Sequence, residues 1–375
     1  MSMLRDLHIW KLEIPLRVSF RHASAERSAT SSVWVEATGF DGVTGYGEGC
    51  PRTYVTGEDL DSCHLFFMTH RAELMDRIQS IDDLVGWCRE HQSEIDAAPA
   101  AWCAIEMALL DLLARSRGEP WERLLNVSEL AGEFQYTAVL GDQSDAAFVG
   151  QLQQYLEFGF QDFKVKLSGD SSRDRFKLDR LLEAGRPPWS IRVDANNLWQ
   201  TSREAEAYLK PLSSAFMAIE EPLRAGDYPG MRQLAESLGK VLILDESFQG
   251  VHHFPQIEAD PAGWLINLRI SKMGGLLRSL DVAEQARQKN MGLIIGAQVG
   301  ETSLLTRSAL TVAHKAGPLV RAQEGAFGTR LLNVDVVDPS LAFGAGGRLE
   351  IEDFPQCHAP LMIIRPSAYL REFRG

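Results

Sequence analysis

The segment from Ser190 to Ser247 contains three short hydrophobic runs that each end in a carboxylate: Ile191-Arg192-Val193-Asp194, Met217-Ala218-Ile219-Glu220 and Val241-Leu242-Ile243-Leu244-Asp245. Each run has the length of a buried strand, and the residues between the runs suffice for a helix and two loops. The pattern predicts parallel strands joined by helices. Because the carboxyl ends of such strands meet at one edge, the three carboxylates are expected to lie together.

Three carboxylates at one edge repel one another unless a cation lies between them. Oxygen-only ligands favour a hard divalent ion, so Mg²⁺ is the first candidate for a site formed by Asp194, Glu220 and Asp245. The alternative is that each acid separately caps the helix that follows it.

Similar runs recur from residue 135 to residue 324. Polar residues at or near the ends of seven runs follow one another at intervals of 24 to 29 residues: Lys166, Asp194, Glu220, Asp245, Arg269, Gln298 and Glu324. That interval fits one strand, one helix and two loops, and eight such units predict an α/β fold of the (β/α)₈ TIM-type barrel class. An open doubly wound sheet would place a glycine-rich phosphate loop after its first strand, and residues 141–144 do not form one.

The first third of the chain has a different pattern. Polar and apolar residues alternate over 7–14, 32–37 and 44–48, which predicts antiparallel strands with a turn at Asp41-Gly42. Residues 17–31 show no periodicity and are predicted to form a loop, either a plain surface loop or a lid. Residues 61–125 are helical in pattern, and a helix over 100–113 is apolar on all sides and therefore buried.

The composition of the chain limits the kinds of binding partner and the compartment that we expect. The 375 residues carry a net charge of -13, which disfavours nucleic acid and anionic membranes. Five scattered cysteines lack zinc or disulfide spacing and are expected to be reduced thiols. The N-terminus lacks an apolar leader and no run is long enough to span a membrane, so a soluble cytoplasmic protein is expected. We also expect a homo-oligomer.

Lys164 and Lys166 alternate by two on the second strand, so both are expected to face the barrel mouth. Mutual repulsion and desolvation predict that a lysine of this pair has a lowered pKa and acts as a proton acceptor. The alternative is that the two lysines only neutralise the acids. Arg269 ends strand six on the opposite side of the acids, and Glu301 and Glu324 are placed at the ends of strands seven and eight.

Five motifs resemble those of the enolase superfamily, in the order and spacing of that family: Lys164-Val165-Lys166, Asp194-Ala195-Asn196 followed by Trp199, Glu220-Glu221-Pro222, Asp245-Glu246-Ser247 and Lys272-Met273-Gly274-Gly275. The likeness is greatest to the muconate-lactonizing-enzyme subgroup of the mandelate racemase/muconate lactonizing enzyme family. That subgroup includes dipeptide epimerases and N-acylamino acid racemases, and the resemblance covers essentially the whole chain.

The resemblance implies a Mg²⁺-dependent enzyme that removes a proton alpha to a carboxylate and forms an enediolate. Lys166 would be the base, and Lys164 would lower its pKa and stabilise the anion. It also implies an N-terminal α+β capping domain at 1–130, whose mobile loop around Phe20 to Ser28 closes over the substrate. The barrel would occupy 131–340, and residues 341–375 would return to the capping domain.

Arg269 departs from the subgroup, in which this position usually carries a lysine. Arginine stays protonated and is a poor base, and Lys272, three residues further on, is expected to point away from the barrel interior. A one-base reaction is therefore expected, with cycloisomerase or dehydratase (lyase) chemistry favoured. The alternative is a racemase or epimerase of an amino-acid derivative or dipeptide.

The substrate is expected to be a small carboxylate, with His22, Glu301 and Glu324 as candidate substrate-binding residues. Glu324 could hold an ammonium group, as the acids of dipeptide epimerases do, or pair with Arg321 or Arg269. Two other classes of protein stay open at this point. One is a different metal-dependent barrel enzyme, such as an aldolase or hydrolase, and the other is a barrel without catalytic activity that serves as a binding or scaffold protein.

Overall fold

The computed structural model describes residues 3–22, 25–358 and 363–373, except for the side chains of 18–27, 356 and 358. The first part of the chain forms five strands followed by five helices: β1 (Leu4–Leu12), β2 (Pro15–His22), β3 (Ala25–Ala29), β4 (Ser32–Gly39), β5 (Thr44–Gly49), α1 (Leu60–Arg77), α2 (Ile81–Glu90), α3 (Gln92–Ala97), α4 (Pro99–Arg117) and α5 (Trp121–Leu124).

The remainder alternates strand and helix and ends in two short strands: β6 (Glu133–Gln135), β7 (Ala138–Leu140), α6 (Asp145–Glu157), β8 (Phe163–Lys166), α7 (Ser171–Glu183), β9 (Ile191–Asp194), α8 (Ser202–Leu209), β10 (Ala218–Glu220), α9 (Tyr228–Leu238), β11 (Val241–Leu244), β12 (Trp264–Leu268), α10 (Ile270–Met273), α11 (Leu276–Gln288), β13 (Gly292–Ile295), α12 (Ser303–Ala316), β14 (Val320–Gln323), β15 (Arg348–Glu350) and β16 (Leu370–Arg371).

Strands β7 to β14 form one parallel sheet in which each strand pairs with the next along the chain. The backbone N–H of Thr137, just before β7, donates to Gln323 O at the end of β14 over 2.7 Å, which brings the first and last strands together. The predicted eight-stranded barrel is confirmed. The first of the recurring runs, which begins at residue 135, is divided between two strands, because β6 pairs with β15 outside the barrel before the chain turns into β7.

The N-terminal sheet is antiparallel, with the strand order β16-β1-β4-β5. Gly42, in the predicted turn between β4 and β5, has φ 84, which glycine adopts readily. The C-terminal β16 pairs with β1, so the end of the chain returns to this sheet. Residues 17–31, predicted as a loop, contain the antiparallel pair β2–β3. The prediction failed because backbone hydrogen bonds hold the two strands together, and these bonds do not require a periodic pattern of side chains.

Helix α4 lies between the N-terminal sheet and the barrel and is buried from Pro99 to Ala114, as its apolar sequence predicted. Strand β5 packs directly on its backbone. A Cβ atom at Gly45, Gly47 or Gly49 would overlap backbone atoms of α4, so only glycine permits this close approach.

All five cysteines are buried and carry free thiols. Among the described residues, every helix is too short or too polar to cross a bilayer.

Candidate active site

The three carboxylates lie at the carboxyl ends of adjacent barrel strands. Asp194 ends β9, Glu220 ends β10, and Asp245 directly follows β11. Asp194 and Glu220 are paired in register across their strands. All three residues are at most 2% exposed. They do not cap the following helices, because Thr201 caps α8 and Asp227 caps α9.

The two lysines of β8 reach the same carboxylate. Lys164 Nζ lies 3.2 Å from Asp194 Oδ2, and Lys166 Nζ lies 3.4 Å from the same oxygen. Lys164 Nζ also lies 2.8 Å from Glu220 Oε2 and 3.1 Å from Glu324 Oε2. One buried ammonium group therefore links carboxylates from three different strands.

Asn196 positions both Lys166 and Asp194. Its side-chain Oδ1 accepts a hydrogen bond from Lys166 Nζ at 2.9 Å, and its backbone N–H donates to Asp194 Oδ1 at 3.1 Å. Asn196 has φ 45, in the left-handed region that residues other than glycine rarely adopt. The Lys166 side chain is 12% exposed against 3% for Lys164, so Lys166 is the lysine that a bound molecule could reach.

Arg269 and Lys272 bind Asp245 from the other side. Arg269 pairs with the Asp245 carboxylate and lies 4.0 Å from Glu220 Oε1. Lys272 Nζ lies 2.8 Å from Asp245 Oδ1 and donates to its backbone carbonyl at 2.7 Å. The prediction that Lys272 points away from the barrel interior is wrong. Strand alternation ends at Leu268, and the helical turn α10 directs Lys272 back towards Asp245.

The charges of this cluster are unevenly balanced. Burial alone would raise the pKa of Asp194 and Asp245, but the lysines of β8 lower it for Asp194, and Arg269 and Lys272 lower it for Asp245. For Glu220, burial and the surrounding carboxylates outweigh Lys164 and raise the pKa to about 8. One further positive charge would let all three carboxylates ionise, so this oxygen donor set fits a hard divalent cation.

Lys164 itself remains a cation. Burial disfavours its ammonium form, but the charges of Asp194, Glu220 and Glu324 outweigh that effect and hold its pKa well above the ordinary value. The lowered pKa expected for one lysine of this pair therefore does not belong to Lys164, because three carboxylates surround it.

Sequence reasoning missed the role of Glu221. Its carboxylate accepts hydrogen bonds from the backbone N–H groups of Asp245 and Ser247, both at 2.7 Å, and from the Ser247 hydroxyl at 2.8 Å. These bonds fix the loop that carries Asp245. Strand alternation indicates only that the residue after Glu220 points to the other side, and the contact of Glu221 with the Asp245 loop, 24 residues along the chain, has no local signal.

The candidate substrate-binding residues have different surroundings. Glu324 pairs with Lys164 at Oε2 and lies 3.9 Å from Arg192 Nη2 at Oε1, rather than pairing with Arg321 or Arg269. The other carboxylate oxygen, Oε1, is buried and accepts no hydrogen bond from the described residues. The side chain of His22 lies outside the described part of the chain.

Glu301 lies in the loop between β13 and α12, on the side of Arg269. Glu301 Oε1 accepts a hydrogen bond from the backbone N–H of Gln298 at 2.6 Å, and Gln298 Oε1 accepts one from Arg269 at 2.9 Å. Burial, opposed in part by Arg269, raises the pKa of Glu301 to about 8. Burial therefore favours the protonated form of this carboxyl group.

A parallel barrel with clustered carboxylates, lysines and an arginine at the carboxyl ends of its strands has the layout of a barrel enzyme active site. Residues 5–126 match the N-terminal domain model of the mandelate racemase / muconate lactonizing enzyme family, and residues 147–355 match the enolase C-terminal domain-like model. The chain belongs to this family of the enolase superfamily, as its motifs predicted.

Characterised relatives align with most of the chain. An L-Lys-D/L-Arg epimerase of Methylococcus capsulatus is 30% identical over 324 residues, covering 85% of this chain and 88% of the relative. An N-succinyl-L-Arg/Lys racemase of Bacillus cereus is 26% identical, covering 82% and 83% of the two chains.

Solved structures give the same comparison in three dimensions. The dipeptide epimerase from Methylococcus capsulatus in complex with Mg and the dipeptide L-Arg-D-Lys superposes with a TM-score of 0.79 at 29% identity, covering 93% of this chain and 97% of the other. The L-Ala-D/L-Glu epimerase from Bacillus subtilis superposes with a TM-score of 0.80 at 21% identity, covering 93% and 96%, and supports the fold alone.

Proposed function

We propose that this protein is a Mg²⁺-dependent isomerase that inverts the carbon alpha to a carboxylate in a dipeptide. The observation that carries the proposal is Lys166 beside a three-carboxylate cluster that lacks one compensating positive charge. The relatives are named as epimerases and racemases. They support the alternative prediction, a racemase or epimerase, over the cycloisomerase or dehydratase chemistry that the motifs favoured.

Asp194, Glu220 and Asp245 would hold the Mg²⁺ ion. A bound divalent cation would stabilise the second negative charge that develops on the substrate carboxylate when its alpha proton leaves. Glu221 supports this set through the Asp245 loop, and Lys164 would remain charged beside the substrate carboxylate and add to its stabilisation.

Lys166 would remove the proton on one face. Asn196 fixes the direction of its ammonium group, and the lysine is exposed enough to meet a bound molecule. Proton abstraction by a positioned side chain contributes roughly 10²–10⁴-fold to the rate, so this orientation has direct kinetic value.

The opposite face needs a group that both donates and accepts a proton, and Arg269 does not meet that need. Surrounding carboxylates overcome the effect of burial and keep its pKa above the ordinary value. Glu301 lies next in the hydrogen-bonded series from Arg269 through Gln298, and its pKa of about 8 suits proton exchange near neutral pH. In the proposed reaction Glu301 exchanges the proton on this face, while Arg269 stabilises the anion.

A dipeptide fits the charge at the end of β14. The buried Oε1 of Glu324 accepts no hydrogen bond from the described residues, although Arg192 Nη2 lies 3.9 Å away, so an ammonium group of the substrate could supply the missing hydrogen bond. An N-succinyl substrate would instead bring a second carboxylate towards Glu324, where like charges repel. This favours a dipeptide with a free amino terminus over an N-succinyl amino acid.

The decisive experiment incubates the protein with Mg²⁺ and a dipeptide library in D₂O, followed by mass spectrometry and chiral analysis. We expect deuterium at one alpha carbon together with inverted product. Elimination or lactone products without inversion would refute the proposal and restore the one-base cycloisomerase or dehydratase interpretation. If N-succinyl amino acids exchange deuterium and no dipeptide does, the proposed substrate class is wrong but the proposed reaction is not.

Glu301→Gln separates the two faces. The amide can accept the Gln298 hydrogen bond but does not exchange a proton, so we expect exchange from one enantiomer to continue while inversion stops. Glu350→Gln is the control, because Glu350 is an exposed carboxylate on β15. Undiminished inversion in Glu301→Gln would show that another group serves the second face.

A further inference from the structure

Three helices of the N-terminal part bring two histidines and a glutamate together. His70 lies on α1, His91 lies at the junction of α2 and α3, and Glu94 lies on α3. One nitrogen or oxygen atom from each side chain lies within 4.8 Å of the corresponding atoms of the other two. His70 Nε2 is 3.1 Å from Glu94 Oε2, and His91 Nε2 is 3.8 Å from Glu73 Oε2.

The tautomer of His91 can be assigned from its hydrogen bond. His91 Nδ1 lies 3.0 Å from the carbonyl oxygen of Trp87, so this nitrogen carries the proton and donates. Nε2 then carries the lone pair, and it lies 3.8 Å from Glu73 Oε2. Metal-binding histidines are commonly oriented in this way by a backbone carbonyl on their other nitrogen.

Aromatic packing holds both imidazole rings. His91 stacks on Trp87 with ring centroids 3.9 Å apart, and Trp87 in turn stacks on the buried Trp102. The His70 ring meets Trp87 edge-on at 5.3 Å. The His70 and His91 side chains are 11% and 15% exposed, whereas that of Glu94 is 49% exposed. The cluster is thus rigid on its inner side and open to solvent on its outer side.

The local charge suits a cation. Two acids, Glu73 and Glu94, contact the imidazoles, and the nearby Arg77 is shared between Glu73 and Glu90.

We propose that His70, His91 and Glu94 bind a Zn²⁺ ion, with Glu73 or water as the fourth ligand. Imidazole nitrogen with carboxylate oxygen is a ligand set typical of zinc in tetrahedral sites and differs from the oxygen-only set that Mg²⁺ favours. The ion would join α1 to α2 and α3, and it is distinct from the carboxylate cluster in the barrel. The competing explanation is a His70–Glu94 ion pair without metal.

The test titrates Zn²⁺ into the untagged, metal-stripped full chain by calorimetry, with millimolar Mg²⁺ present to occupy the barrel carboxylates. We expect one Zn²⁺ per chain and a higher Tm with Zn²⁺. Glu94→Gln and His91→Ala should each weaken binding by more than about 100-fold, the upper end of what losing an outer-shell partner costs. Co²⁺ substitution should give visible absorption in the wild type that both variants lack.

Two controls locate the site. His64→Ala changes another histidine of α1 and should leave Zn²⁺ affinity unchanged, and Asp245→Asn should do the same if the barrel is not involved. Zn²⁺ binding that survives in both Glu94→Gln and His91→Ala, or that disappears in Asp245→Asn, would overturn the proposal. A wild-type chain that binds no Zn²⁺ would leave the ion pair as the whole explanation. Because Glu94 is half-exposed, Glu94→Gln should fold even if His91→Ala does not.

Discussion

Two regions of this molecule bury carboxylates, and they differ in what surrounds them. At the barrel mouth, Asp194 and Asp245 contact lysine and arginine side chains. Between the N-terminal part and the barrel, Glu48 and Glu106 instead accept hydrogen bonds at the starts of barrel helices. Glu48 binds the N–H and hydroxyl of Thr302, which caps α12, and Glu106 binds the first two N–H groups of α11.

The difference predicts two separate phenotypes. Asp194 and Asp245 are held in charged form by cations that would also meet the proposed substrate, so changing them should affect chemistry first. The interface carboxylates satisfy helix N–H groups that would otherwise be buried without partners, so changing them should affect stability first. Burial raises the pKa of both Glu48 and Glu106 to about 7, as expected for acids without a direct cation partner.

The largest effect is expected at the proposed metal ligand Asp245. Asp245→Asn removes one of three negative charges from the Mg²⁺ site, and activity should fall below detection while the folded state persists. Asp281→Asn, on the outer surface of α11, is the matched control. Mg²⁺ affinity from calorimetry should fall together with activity. If Asp245→Asn is active without added metal, the assignment of the three carboxylates as the Mg²⁺ site is wrong.

Lys166→Ala should have the next largest effect. Loss of a positioned base is expected to cost roughly 10²–10⁴-fold in kcat and to stop deuterium exchange, with little change in Tm. Lys315→Ala, on the exposed side of α12, provides the control. Exchange at the wild-type rate in Lys166→Ala would assign the base to another residue.

The barrel and its strand-end residues could be predicted because they depend on local pattern. Strand runs recur at the barrel interval, and alternation places Lys164 and Lys166 on one side. The position of Lys272 could not be obtained in this way, because the helical turn α10 interrupts alternation directly after Arg269.

Long-range partners were also beyond the sequence pattern. Glu48 and Thr302 are 254 residues apart, and Glu106 and Leu276 are 170 apart. Glu106 sits in an apolar helix where the sequence gives no sign that its carboxylate meets another helix. Such contacts depend on how the two parts pack, and local periodicity carries no information about that packing.

The pH dependence of stability should separate the interface from the mouth. The pKa of Glu48 is about 7 in the folded chain, above the ordinary value of 4.5, so the folded state binds the proton more tightly. The contribution of protonated Glu48 to the free energy of unfolding is complete below the pKa that this group has in the unfolded chain. It is lost as the pH rises through about 7, and its size is on the order of 3 kcal/mol.

The measurement is the free energy of unfolding from pH 4.5 to pH 8, compared between the wild type and Glu48→Gln. The comparison is needed because His253, whose burial lowers its pKa to about 4, gives the opposite slope. As the pH rises, the free energy of unfolding of the wild type should fall relative to that of Glu48→Gln. A pH-independent difference would contradict the raised pKa.

The smallest effect, and the one that tests the comparison most directly, is expected at Glu106. Glu106→Ala leaves the N–H groups of Leu276 and Leu277 without this acceptor at a buried contact, which should destabilise the fold by about 1–3 kcal/mol. Glu106→Gln retains an acceptor oxygen and the side-chain volume, so it should cost less than the alanine variant. Denaturant unfolding gives both values. Activity per folded molecule should match the wild type in both variants, because Glu106 bonds to the backbone of α11 and not to the carboxylates and lysines of the candidate site. If Glu106→Ala instead lowers kcat at unchanged stability, the interface carboxylate is coupled to the chemistry and the two regions do not act separately.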